Sequence, residues 1–238
     1  MAWDGPVLRQ SARREHYAAA LSQLTAAGHC YACGCSRREI ADSAEALTAA
    51  GDEGPVYPGT CRTGLPAGRE ARAIRVRTDL TPYAFDDAAQ GVIGQALERE
   101  VGDFVVKRAD GPFAYQLAVV VDDALQGVTR VVRGADLLRS TPRQLHLQRL
   151  LGLRAPRYLH HPVAVDATGA KLSKSAGAAA LDPSRPGRNL YRALDVLRQG
   201  PPATLAQAPS AEVLRWAQHA YDPSRYRGVL AVADIEGS

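Results

Sequence analysis

The apolar positions first recur with a helical period. Tyr17, Leu21 and Leu24 share one face of residues 11–27, and Gly28 sits where a left-handed residue closes a helix. A Cys-rich turn at 29–36 follows, then a short helix around 43–50 that stops at Gly51, and then a Gly/Pro-rich stretch at 51–68. Beyond it the pattern becomes strand-like. Residues 73–77 read as one strand, and three Val-rich runs at 103–108, 114–121 and 128–133 read as stronger ones. Asp110-Gly111 supplies a hairpin signal between the first two of these.

Helical periodicity then returns. Thr141 can cap a helix with Gln144 completing a capping box, and Pro142 has the fixed φ suited to a first helical position. Leu147, Leu150 and Leu151 form the apolar stripe of that helix, and Gly152 ends it. Residues 161–165 read as a short strand. From Asn189 onward the chain reads as helical, with Val213, Leu214, Ala217, Ala220 and Tyr221 marking the last clear amphipathic face. No internal repeat is visible.

Composition adds two constraints. Of 238 residues, 46% are hydrophobic and 23% charged, enough to bury a core and too apolar for global disorder. No apolar run reaches membrane-spanning length, and residues 1–17 lack the apolar core of a signal peptide. The expectation is therefore a cytoplasmic protein without a membrane partner. The net charge is +4 and rests on Arg, since Lys occurs only at 107, 171 and 174. That balance fits either a general Arg-rich composition or contact with a polyanion such as nucleic acid.

The candidate chemistry lies in three places. All four cysteines fall between Cys30 and Cys61, and a disulfide framework is not expected in the cytoplasm. Two thiolates in the turn Cys33-Gly34-Cys35 and a third at Cys61 can surround a tetrahedral zinc; by spacing alone Cys30 completes a four-cysteine set, the alternative being a group of free, partly buried thiols. Tyr115 opens one predicted strand and Arg133 closes another just before Gly134, where a guanidinium can grip a carboxylate in two-pronged fashion. Taken singly, Arg133 suits a surface or structural ion pair, Tyr115 a core position, and Asp122-Asp123 a turn or cap rather than catalytic carboxylates. Lys171 and Lys174 share the short loop KLSKS, residues 171–175. Two ammonium groups on flexible backbone can close over a triphosphate and stabilise charge developing as pyrophosphate leaves.

In this order, AYQLAVVVDD (114–123), RGADLL (133–138), TPRQ (141–144) and KLSKS (171–175) resemble the glutamyl-tRNA synthetase branch of the class I aminoacyl-tRNA synthetases. The likeness runs from about Trp3 to Trp216, and Trp3-Asp4-Gly5-Pro6 with Gln10-Ser11 is similar to the segment leading into the family's acceptor-stem region. Within the branch the chain most resembles the glutamyl-Q tRNA(Asp) synthetases. Cys33, Cys35, Tyr57 and Cys61 are similar to that subfamily's zinc site, in which a Tyr replaces the fourth Cys; the resemblance leaves Cys30 outside it. The chain also ends soon after KLSKS, which leaves no room for the anticodon-binding domain of a glutamyl-tRNA synthetase.

The resemblance implies an α/β fold: an incomplete class I synthetase catalytic core of Rossmann type, with an inserted zinc-containing acceptor-type domain and C-terminal helices. Residues 1–105 would hold the remnant of the first Rossmann half and the zinc insertion. Residues 106–180 would hold the second half, ending in the KLSKS loop, and 181–238 a helical segment. The implied chemistry has two steps. L-glutamate attacks the α-phosphate of ATP, with Mg2+, giving glutamyl-adenylate and pyrophosphate; the glutamyl group then passes to the cyclopentenediol of queuosine in the anticodon loop of tRNA(Asp). Tyr115 and Arg133 would bind glutamate, Lys174 would contact ATP, and Lys171 with the loop serines would shape the lid. Positioning and charge stabilisation would carry the catalysis, with no nucleophilic side chain. The family's opening strand and His-x-Gly-His motif have no counterpart among the six histidines. The expectation is thus a chain that starts downstream of half the ATP site. Its alternatives are a non-catalytic tRNA- and zinc-binding fragment or, less favoured, a glutamyl-tRNA synthetase.

Overall fold

The computed structural model describes residues 3–45, 55–172 and 180–233. The chain forms two compact units, each gathered from segments distant in sequence. The first comprises residues 1–85, 94–129 and 139–156, and the second 86–93, 130–138 and 157–238. None of the helices among the described residues is long and apolar enough to cross a membrane.

In the first unit, helix α1 (Arg14–Ala26) buries Tyr17, Leu21 and Leu24, the face expected from its periodicity. Gly28 closes it at φ 73°, a left-handed conformation that costs glycine least. Strand β1 (Cys30–Cys33) then pairs antiparallel with β2 (Ala73–Val76), which pairs with β5 (Phe104–Lys107). The local pattern predicts a turn at 30–33. The strand comes instead from partners about 40 residues downstream, which a local pattern cannot reveal. Helix α2 (Arg37–Glu45) starts earlier than the expected 43–50, because Ser36 and Glu39 form a reciprocal capping box: the Ser36 amide donates to Glu39 Oε2 at 2.7 Å, and the Glu39 amide to Ser36 Oγ at 3.2 Å. Residues 46–50 of that expectation lie outside the described residues.

The Val-rich run at 114–121 is helical, contrary to the strand expected. Helix α4 (Tyr115–Leu125) buries Leu117, Ala118, Val120 and Val121 in a core shared with α1 and with α5 (Thr141–Leu151). A short apolar run suits a buried helix or a buried strand equally, and packing between two helices decided for the helix. The turn at Asp110-Gly111 is present, with Gly111 at φ 100° and the Arg108 amide donating to Pro112 O, but it leads into α4 rather than a second full strand. Asp122 is no catalytic carboxylate. It is buried in α4 and accepts bonds from Gln10 Nε2 (3.0 Å), Arg13 Nε (2.7 Å) and Tyr17 Oη (2.8 Å), tying residues 10–17 to the core. Helix α5 carries Pro142 in its first turn and ends at Gly152 (φ 68°) as expected, yet its cap position falls on Ser140, already helical, because a 3-10 turn (Ala135–Ser140) runs straight into it. The short helix α3 (Leu97–Glu100) belongs to this unit, while strands β3 (Pro82–Asp87) and β4 (Gly91–Ala96) each contribute residues to both.

In the second unit, β6 (Arg130–Gly134) and β7 (Arg157–His161) pair in parallel, with Arg133 opposite His160. Asp87, at the end of β3, pairs with Tyr158 on the other side of β7, also in parallel. Strand β8 (Val163–Val165) pairs with β9 (Ala231–Ala233), a strand inside the stretch expected to be wholly helical. Helices α6 (Pro186–Val196) and α7 (Ser210–Ala220) meet through Leu194, Leu205 and Val213, with Leu190, Tyr191 and Trp216 at the margin.

Candidate functional site

Three of the four thiols converge. The Sγ atoms of Cys33, Cys35 and Cys61 all lie within 4.8 Å of one another, and Cys35 and Cys61 are 3.6 Å apart. Tyr57 Oη joins them, 3.4 Å from Cys33 Sγ and 3.8 Å from Cys35 Sγ. With Zn–S near 2.3 Å and Zn–O near 2.0 Å, tetrahedral edges are about 3.8 Å between sulfurs and about 3.5 Å from sulfur to oxygen, so the arrangement has zinc dimensions. Burial pushes the Cys33 thiol up, but bonds from Tyr57, Arg75 and the Cys35 amide outweigh it and bring the thiol below its usual range. Cys35 and Tyr57 are pushed up, first by burial and then by their acidic neighbours, crowding that a bound dication reverses.

Cys30 stands apart. Its thiol is buried in the main core that also holds Tyr17 and Leu21, and burial pushes it up to about 12, away from thiolate character. The spacing-based set of four cysteines is thus broken by strand geometry: Cys30 and Cys33 stand at opposite ends of β1. Cys30→Ala should leave metal content unchanged, measured as zinc per chain after chelator-free purification; release of the metal would return Cys30 to the ligand set.

The four groups are braced from outside. Arg75, nearly buried, lies with its guanidinium carbon 3.8 Å over the Tyr57 ring, and it donates from Nε to Cys33 Sγ (3.3 Å) and from Nη1 to Asp103 O (2.7 Å). This places a cation against an anionic ligand set and fixes the Tyr ring. The Cys61 amide donates to Tyr57 Oη at 2.9 Å. Two glycines admit the backbone that this packing needs. A Cβ on Gly34 would meet Glu70 O at 2.7 Å, and one on Gly102, at φ 69°, would meet Tyr57 O at 2.5 Å. Gly102→Ala is expected to cost about 2 kcal/mol or more, from left-handed strain plus displacement of the Tyr57 backbone. Thermal unfolding should show the loss together with weaker metal retention, and an unchanged melting temperature would contradict it.

Tyr115 is the first residue of α4, 47% exposed, rather than the opening of a strand. Arg133 is the penultimate residue of β6, which runs one residue past the expected end to include Gly134, and its Nε lies 3.0 Å from His160 Nε2. His160 in turn meets Asp87, with Nδ1 2.6 Å from Oδ2. Neither Asp87 nor His160 stands out in the sequence, where His160 reads only as half of a His-His pair lacking the His-x-Gly-His spacing. The strand expected at 161–165 starts one residue past His160; it is in fact two strands, β7 (Arg157–His161), which contains His160, and β8 (Val163–Val165).

Lys171 closes the base of the KLSKS loop. Its Nζ is 2.5 Å from Asp136 Oδ2 of the RGADLL segment, it bridges to Val165, and the Leu172 amide donates to Ala164 O at 3.0 Å. The preceding turn is held by Asp166, whose Oδ1 accepts from the Thr168 hydroxyl (2.6 Å) and the amides of Thr168 and Ala170. Lys174, with Ser173 and Ser175, lies outside the described residues.

The model of the family described as tRNA synthetases class I (E and Q), catalytic domain, matches residues 1–199. The chain therefore belongs to this family of aminoacyl-tRNA synthetase ligases, and its α/β mixed sheets are those of a class I catalytic core that uses ATP. Relatives that it is similar to include proteins named glutamyl-Q tRNA(Asp) synthetase. The one from Dechloromonas aromatica is 59% identical over 215 residues, which cover 90% of this chain and 71% of that protein. The one from Geobacter sulfurreducens is 54% identical over 227 residues, 93% of this chain and 72% of that protein. Among solved structures, glutamate-tRNA synthetase from Elizabethkingia anophelis matches with a TM-score of 0.69 at 20% identity, a likeness of fold. It covers 98% of this chain, and the chain spans about half of that synthetase, 53% of its length.

Proposed function

We propose that this chain is the core of an enzyme that activates L-glutamate with ATP and transfers it to queuosine in the anticodon loop of tRNA(Asp), in the cytoplasm. The observation that carries this reading is the 59% identity to a protein named for that tRNA, together with the Cys33/Cys35/Tyr57/Cys61 cluster. Residues 1–105 then contribute the remnant of the first Rossmann half and the zinc-bearing insertion, 106–180 the half-core that ends at KLSKS, and 181–238 the C-terminal segment of helices closed by strand β9.

In this reading Arg133 grips a glutamate carboxylate and Tyr115 orients the amino acid. Lys174 contacts the ATP phosphates, which Mg2+ accompanies, while Lys171, paired with Asp136, fixes the start of the KLSKS segment. The barrier falls through alignment of carboxylate and α-phosphate and through stabilisation of charge on the departing pyrophosphate. Cys33, Cys35, Tyr57 and Cys61 hold one zinc, which acts as a structural cross-link and takes no part in the chemistry.

The test is incorporation of labelled glutamate into tRNA(Asp) with and without queuosine, run beside ATP–pyrophosphate exchange. Incorporation that requires queuosine supports the reading. Equal charging of tRNA(Glu) would indicate a glutamyl-tRNA synthetase, and tRNA retention without exchange would indicate a binding fragment.

A further inference from the structure

The parallel register of β6 and β7 sets Arg133 beside His160, and the pairing of β3 with β7 brings Asp87 to the other side of the same strand. The side chains of His160 and Asp87 are fully buried. Asp87 Oδ1 accepts the amides of Ala89 (3.0 Å), Gln90 (2.9 Å) and His160 (3.1 Å), while Oδ2 faces His160 Nδ1 at 2.6 Å. Burial pushes the Asp87 carboxyl up, but the His160 and backbone bonds outweigh it and hold it at about 2, so it remains an acceptor.

The direction of the remaining bond follows from donor chemistry. A guanidinium Nε–H only donates, so His160 Nε2, 3.0 Å from Arg133 Nε, must accept. The ring proton therefore sits on Nδ1 and points at Asp87. Tyr158 stacks on the ring at 6.1 Å and 15°, and the Arg133 guanidinium carbon lies 5.6 Å from the Tyr158 ring centre. The other buried histidine shows what a purely structural ring looks like here: His146 is satisfied by Tyr83 Oη and Arg77 O, inside its own core. His160 instead accepts its hydrogen bond from a cation.

We propose that Asp87 and His160 are positioning residues for Arg133: Asp87 fixes the ring, and the ring holds Nε, which sets the direction in which the guanidinium meets a substrate carboxylate. The ordering of a long side chain is thereby completed before substrate arrives, which lowers the entropy cost of binding. This assignment rests on Arg133 as a glutamate contact.

The first measurement needs no ligand and no variant. In the 15N-labelled chain, His160 should show a protonated Nδ1 and a bare Nε2, and the Arg133 Nε–H should exchange slowly with water. A protonated Nε2, or Arg133 exchange as fast as that of exposed arginines, overturns the proposal. In glutamate binding by calorimetry, His160→Asn, which keeps a donor for Asp87 but withdraws the acceptor from Arg133, should weaken glutamate on the order of tenfold and leave ATP unaffected. His160→Gln, which can return an oxygen to the Nε2 position, should recover most of the loss. If both variants fail to fold, the ring-proton and exchange measurements on the unaltered chain still decide. Loss of glutamate binding in Arg133→Ala beside unchanged binding in a folded His160→Asn would overturn the positioning role alone. Unchanged glutamate binding in Arg133→Ala would overturn the reading of Arg133 itself.

Discussion

Cys61→Ser is expected to empty the metal site, taking zinc from about one per chain to below about a tenth. The buried residues around it are few: Cys33, Tyr57 and Cys61, with Tyr31, Cys35 and Ile40 at the edge. A cluster of that size supplies only a few kcal/mol of apolar burial, whereas structural zinc in small domains contributes about 10 kcal/mol or more. A metal held there would thus be the dominant cross-link between the end of β1 and the loop that carries Tyr57 and Cys61. Chelation should accelerate amide exchange at 30–36 and 55–62 while the core of α1, α4 and α5 stays protected. Tyr57→Phe should be milder, since the ring keeps its place under Arg75 and only one ligand atom is lost. Full zinc content in Cys61→Ser would exclude that thiol as a ligand, and chelation without change in exchange would deny the metal a structural role.

In a complete enzyme, Arg133→Ala is expected to lower kcat/KM for glutamate by about a hundredfold or more in ATP–pyrophosphate exchange, with KM for ATP changing little. Removing one partner of a hydrogen-bonded charge pair costs about 2–5 kcal/mol, and each 1.4 kcal/mol is about a factor of ten. Arg133→Lys should recover only part of the loss, because an ammonium has no fork to match two carboxylate oxygens and cannot donate to His160 from the same place. Equal losses for glutamate and ATP would contradict the role of Arg133.

Much of this was legible in the residues because it depends on local chemistry. The helix of Tyr17, Leu21 and Leu24, the strands at 73–77 and 103–108, and the Gly152 stop need only periodicity and a left-handed glycine. The family was legible from the order of RGADLL, TPRQ and KLSKS, a signal that survives whatever the backbone does between them. Cys33, Cys35, Tyr57 and Cys61 were legible as a set through resemblance. Spacing alone favoured Cys30, because spacing does not say which end of a strand a thiol occupies.

What the linear chain left open was settled by partners far away in sequence. The run AYQLAVVVDD carries Val like a strand, yet it became α4 because α1 and α5 offered it helical faces to pack against. Asp122, which reads as a turn carboxylate, became the anchor of Arg13 and Tyr17. Asp87 and His160 are 73 residues apart, and only the pairing of β3, β7 and β6 makes them and Arg133 one polar chain. Residue types and their order determined the family and the candidate ligand groups, since those reside in side chains. Tertiary structure decided which side chains share a hydrogen bond, since that depends on register, which no single segment contains.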